Sequence, residues 1–186
     1  EDKKVLLYAP TYRDNSHDSA KGYTYENPLD LDRLREKLGE QWVVLFRAHY
    51  FIANSMKLSE YEGFVWDVSA VDDVNELYII SDALVTDYSS VLFDYVNLGR
   101  PMLFYVYDRE QYEKELRGFY FDYSTLPGPI TTTQEELEQE ILSLDSYARR
   151  FGAQREQFHD RFCPMEDGSA SRRVLNILAE DMGLNA

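Results

Sequence analysis

Short apolar runs alternate along the chain with stretches whose apolar residues recur every three or four positions. The runs predict strands over residues 4–9, 41–47, 64–68, 83–86 and 100–106. The first is closed by Pro10, and a polar loop follows over 11–27. Leu29, Leu31, Leu34 and Leu38 then recur at helical spacing, with Gly39 as the stop. Acids at 72–76 open a short helix. Ser89 and Ser90 open another that carries Val91, Leu92, Tyr95 and Leu98 and ends at Gly99. Residues 133–144, 146–162 and 169–182 read as helices, and 50–62 hold at most a short one.

Strands alternating with helices predict an α/β fold, a doubly wound parallel sheet of Rossmann-like type, filling 1–186 as one domain. The expected order, counting strands along the chain, is third, second, first, fourth, fifth. That order reverses between the first and fourth strands, so their C-terminal ends frame a crevice, with the end of the second alongside. Ligands of open α/β sheets bind in such a crevice.

Composition narrows the function. The 186 residues carry 19 Lys+Arg against 34 Asp+Glu, a net charge of −15. So acidic a domain repels a phosphate backbone, which argues against nucleic acid as a partner. A phosphate site on it has to be local, built from a few aimed donors. The one cysteine, Cys163, excludes an internal disulfide framework and a cysteine-based zinc site. The acid pairs lack the spacing of a metal site, and no metal or cofactor is expected. No window approaches the roughly 18 apolar residues of a membrane span. The first residues, Glu1-Asp2-Lys3-Lys4, look like a cut inside a longer protein or a processed end.

Three polar segments fall at the ends of the three strands that frame the crevice: 10–13, 47–49 and 86–90. Ser89 and Ser90 stand where helix amides are unpaired, a setting that suits phosphate, although capping is the commoner use of such residues. Arg47 offers a planar fork to phosphate oxygens, and His49 can donate a hydrogen bond or move a proton near neutral pH. Strand alternation puts both on one face, with Ala48 opposite. Asp94, four residues after Ser90, lies one turn along the same helix face and could accept from sugar or polyol hydroxyls, although an exposed helix acid is the commoner case. His17 and His159 read as surface residues. The aromatic loop at 119–123 reads as a peripheral core cluster, with a fold over a ligand or against a partner domain as the alternative.

The stretches Tyr8-Ala9-Pro10-Thr11-Tyr12-Arg13-Asp14-Asn15, Arg47-Ala48-His49 and, above all, Ser81-Asp82-Ala83-Leu84-Val85-Thr86-Asp87-Tyr88-Ser89-Ser90-Val91-Leu92-Phe93-Asp94-Tyr95 resemble the CDP-glycerol glycerophosphotransferases. These are the teichoic acid primases and polymerases of Gram-positive bacteria. Arg100-Pro101, Arg117-Gly118-Phe119-Tyr120 and Pro127-Gly128-Pro129-Ile130 continue the match, which covers about residues 3–145. Tyr50 departs from the family's usual Pro, and Tyr12 from its frequent Trp.

The resemblance implies the C-terminal, nucleotide-binding half of a GT-B fold. It implies that Pro10, Thr11, Arg47, Ala48, His49, Ser89, Ser90 and Asp94 match positions that contact CDP-glycerol, and that His49 matches a histidine needed for activity. It further implies transfer of glycerol phosphate to a lipid-linked polyol-phosphate acceptor with release of CMP. The missing partner is an N-terminal domain, against which the helices from about 146 would pack. The implied setting is cytoplasmic, with the whole protein peripheral on the inner face of the plasma membrane. A GT-B transferase using CDP-ribitol or a nucleotide sugar, and a non-catalytic nucleotide-binding module, are the alternatives. A phosphoacceptor receiver domain is disfavoured, because the first strand ends in Ala9-Pro10-Thr11 rather than an acidic cluster.

Overall fold

The computed structural model describes residues 2–11, 17–18, 22–23, 27–48, 58–112 and 121–183. In chain order come β1 (Lys4–Tyr8), β2 (His17–Asp18), β3 (Gly22–Tyr23), α1 (Leu31–Leu38), β4 (Trp42–Phe46), β5 (Val65–Asp67), α2 (Val74–Ile80) and β6 (Ala83–Thr86). Then follow α3 (Val91–Tyr95), β7 (Met102–Tyr105), α4 (Arg109–Gln111), β8 (Ile130–Thr131), α5 (Gln134–Leu142), α6 (Tyr147–Phe162) and α7 (Ala170–Asp181).

Six strands form one sheet in the order β5-β4-β1-β6-β7-β8, and every pairing in it is parallel. The five expected strands take the expected order. Two features depart from expectation. The two-residue β8 adds a sixth strand beside β7, and the polar loop after β1 holds a small antiparallel hairpin, β2–β3. Of the region 50–62, residues 58–62 lie among the described ones, and Leu58–Tyr61 form a 3₁₀ turn.

Near-continuous apolar strands are what a sheet covered on both faces requires. Side chains alternate between the faces. Leu6, Tyr8, Val44, Phe46 and Val85 meet Leu34 and Leu38 of α1 and Leu137 and Ile141 of α5. Leu7, Leu45, Leu84, Met102 and Phe104 meet Leu77 of α2, Leu92 and Tyr95 of α3 and Phe158 of α6. From the aromatic loop, Phe121 packs among Phe93, Phe158 and Phe162, and Tyr123 is buried, as expected of a core cluster. The rest of that loop, 119–120, lies outside the described residues.

The helix after β6 is shorter in α-form than expected. Five α-helical residues tighten into a 3₁₀ turn, Val96–Leu98, which stops at Gly99 with φ 68°, a left-handed conformation that glycine adopts without strain. Gly128 answers a different demand: a Cβ there would stand 1.9 Å from the Met102 carbonyl oxygen, so only glycine lets this turn pass β7.

Candidate functional site

At the C-terminal edge of the sheet, the ends of β1, β4 and β6 enclose a crevice of about 360 Å³. Pro10 and Thr11, Arg47 and Ala48, and Ser89 and Ser90 line it, joined by Tyr88 and Tyr112. Six of the eight expected residues, drawn from all three expected segments, therefore share one cavity. His49 lies outside the described residues, as do Tyr12, Arg13 and Tyr50.

The backbone ladder carries each segment to this edge. The Arg47 amide donates to the Tyr8 carbonyl at 2.9 Å, and the Ala9 amide to Val85 at 2.9 Å. Ala48 donates its amide to the Ser69 hydroxyl at 2.9 Å. Arg47 is only partly available as a phosphate fork, because its Nη1 already donates to the carbonyls of Val71 at 2.7 Å and Val68 at 3.3 Å. Those bonds fix the guanidinium against the loop after β5. Among the described residues no partner takes its Nη2 or Nε.

The serines do little capping. Ser90, at the N-cap position of α3, has helical dihedrals and makes no side-chain capping bond. Ser89 accepts from the Val91 amide only at a long 3.5 Å. Thr133 shows the contrast: it closes a full capping box with Glu136 at the start of α5.

Sequence reasoning assigned no role to Asp87 or Ser69, and read Tyr123 only as part of a core cluster. Asp87 is 2% exposed. Its Oδ1 accepts from the Thr11 amide at 2.8 Å and from the Tyr88 amide at 2.6 Å. The Tyr123 hydroxyl donates to the Asp87 carbonyl. Tyr88 stacks on Tyr112 with centroids 3.7 Å apart and donates its hydroxyl to Asp108 at 3.0 Å. The only prior signal was one acid placed directly after an apolar strand.

Asp94 stands apart from the six. It opens onto an adjoining groove between α2 and α3, shared with Tyr78, Asn97, Cys163 and Glu166. Burial, then the neighbouring Glu166 charge, raises its carboxyl above the usual aspartate range. Burial likewise pushes the Tyr78 hydroxyl up to about 12, helped by Asp94 and opposed by Arg47. Tyr78 thus lies within electrostatic reach of both the crevice arginine and the groove aspartate. Among the described residues no three His, Cys, Asp or Glu side chains gather as a metal site, and no helix is long and apolar enough to cross a membrane.

Sheet order and crevice together define a Rossmann-like, doubly wound domain of the kind found in each half of a GT-B transferase. The chain belongs to the CDP-Glycerol:Poly(glycerophosphate) glycerophosphotransferase family, whose model matches residues 1–180. It is 46% identical over 182 residues to the teichoic acid poly(glycerol phosphate) polymerase of Staphylococcus epidermidis, covering 97% of this chain and 25% of that one. It is 38% identical over 178 residues to the teichoic acid poly(ribitol-phosphate) polymerase of Bacillus spizizenii, covering 95% of this chain and 28% of that one. The solved structure of the wall teichoic acid polymerase TagF superposes with a TM-score of 0.87 at 46% identity, over 98% of this chain and 45% of that one. The chain therefore spans between a quarter and a half of the proteins it matches.

Proposed function

We propose that this chain is the donor-binding half of a CDP-glycerol:poly(glycerophosphate) glycerophosphotransferase. The observation that carries the reading is the convergence of Pro10, Thr11, Arg47, Ala48, Ser89 and Ser90 on one crevice, with the Ser90 hydroxyl not spent on capping. In the reaction, the terminal glycerol hydroxyl of a polyol-phosphate acceptor attacks the β-phosphorus of CDP-glycerol. The bond from that phosphorus to the bridging oxygen breaks, and CMP leaves with the electron pair. Positioning and charge stabilisation supply most of the acceleration in such a transfer. Arg47 and His49 stabilise charge growing on the CMP phosphate, Ser89 and Ser90 hold the diphosphate, and Asp94 accepts from ligand hydroxyls at the adjoining groove. The general base belongs to a second domain.

That second domain is the preceding half of the longer chains in this family. Of the helices after residue 146, α6 is already committed to this domain through Tyr147 and Phe158. The helix α7 buries no residue and exposes Val174, Leu175, Ile177 and Leu178, so it supplies the apolar stripe for the other half. The setting is the cytoplasm, with the whole protein held at the inner face of the plasma membrane by its lipid-linked acceptor.

Titration with CDP-glycerol and with CDP, followed by amide shifts, tests the site. Shifts at Thr11, His49 and Ser89 to Asp94 are expected, and shifts confined elsewhere overturn it. Joining the chain to the family's preceding half should restore CMP release, whereas turnover by the 186 residues alone would refute the division of labour. The similarity to a ribitol-phosphate polymerase supports a second donor, CDP-ribitol, which competition against CDP-glycerol separates.

A further inference from the structure

A buried carboxylate at the lip of a diphosphate site is electrostatically unfavourable, since it repels the ligand across a medium that screens poorly. Asp87 lies just behind the crevice lining, 2% exposed, next to Tyr88, one residue after β6 and two before Ser89. Its place is explained by its bonds. One oxygen, Oδ1, accepts from the amide of Thr11 and from the amide of Tyr88, 76 and 1 residues away along the chain. The backbone pairing of β1 with β6 ends at Tyr8 opposite Val85. Beyond it, the Thr86 hydroxyl reaches the Ala9 carbonyl at 2.8 Å, and the Asp87 carboxylate then reaches Thr11. Side chains thus continue the ladder where the backbone no longer can. The Tyr123 hydroxyl donates to the Asp87 carbonyl, and the ring of Tyr88 stacks on Tyr112.

The two loops joined in this way carry four of the six crevice residues: Pro10, Thr11, Ser89 and Ser90. We infer that Asp87 is a positioning residue, whose carboxylate fixes the spacing between the Thr11 loop and the Ser89–Ser90 loop and so sets the width of the crevice. Charge-assisted bonds to amides are about twice as strong as neutral ones, which favours a carboxylate in this place despite its charge. The ligand's identity rests on the donor-binding reading above, whereas the latch is a property of the protein alone.

Asp87→Asn and Asp87→Glu separate the possibilities in the whole chain. Asparagine keeps an acceptor where Oδ1 stands and removes the charge. Glutamate keeps the charge and moves the acceptor by one methylene. Amide hydrogen exchange at Thr11, measured without ligand, and CDP affinity by calorimetry are the two readouts. The latch predicts Thr11 protection close to wild type in Asp87→Asn and lost by at least about tenfold in Asp87→Glu. CDP binding should weaken within about fivefold for Asn and beyond about tenfold for Glu. Glu matching wild type in both readouts, or Asn binding CDP more tightly with Thr11 exchange unchanged in both variants, overturns the latch. A wild-type chain that shows this exchange order and yet does not bind CDP retains the latch and refutes the nucleotide reading.

Discussion

Thr86 donates its hydroxyl to the carbonyl of Ala9 at 2.8 Å, and both residues are buried. The bond spans β6 and β1 directly beneath the crevice, where the sheet's own ladder has run out. Thr86→Val keeps the shape and removes the donor. Stability should fall by about 1 kcal/mol, a loss of about 2–4 °C in melting midpoint for a domain of this size. Thermal unfolding followed by circular dichroism measures it.

Ser90 and Thr133 occupy equivalent places before their helices but do different work. Thr133→Ala removes a capping box and should cost about 1 kcal/mol. Ser90→Ala removes no capping bond, so its unfolding free energy from denaturant titration should stay within about 0.5 kcal/mol of wild type. Its affinity for CDP-glycerol should nevertheless fall severalfold. A stability loss equal to that of Thr133→Ala would return Ser90 to a structural role.

The five strands were legible because each apolar run was of strand length and ended in polar residues, and their order followed from the common order of doubly wound units. The two residues of β8 are too few to make such a run, so the sixth strand left no mark. Helical spacing placed Asp94 on the face of Ser90 but could not tell which cavity that face opens onto, since the adjoining groove is made by α2 and the end of α6. Arg47 was legible as a cation at a strand end. Its Nη1 is taken by the carbonyls of Val68 and Val71, acceptors that every residue carries and no pattern reveals. The amide bonds of Asp87 were hidden for the same reason.

Ala48, the last described residue before position 49, lines the crevice and donates its amide to the Ser69 hydroxyl at 2.9 Å. His49→Ala should weaken CDP-glycerol binding by about tenfold, the loss expected for one bond to a charged partner. A thermal midpoint held within about 1–2 °C would show that binding rather than stability was lost. Calorimetry and thermal scans on the same preparation check both. Unaltered affinity would remove His49 from the site.

Two buried tyrosines should respond oppositely to loss of their hydroxyls. Tyr147 donates to the Pro127 carbonyl. The Tyr78 hydroxyl, buried with its ring, meets no hydrogen-bond partner among the described residues. Tyr147→Phe should cost about 1 kcal/mol, whereas Tyr78→Phe should gain about as much by deleting an unsatisfied polar group. Denaturant unfolding of both variants is the measurement, and destabilisation by Tyr78→Phe would mean that its hydroxyl is bonded in solution.

The raised carboxyl of Asp94 makes a prediction about pH. Burial and the Glu166 charge disfavour its ionised form in the folded chain, so between the ordinary aspartate value, about 3.9, and the raised one the folded state binds more protons than the unfolded. Stability from this group is therefore complete at acid pH and is lost as pH rises through the raised value. Asp94→Asn, which cannot ionise, should be more stable than wild type at neutral pH and equal to it near about pH 3. Glu166→Gln should recover part of that difference, but not all of it, because burial is the larger cause. Unfolding midpoints of the three proteins across that range decide the matter. An advantage of Asp94→Asn that is greatest at acid pH and vanishes at neutral pH would mean the carboxylate is stabilised by the fold rather than strained by it.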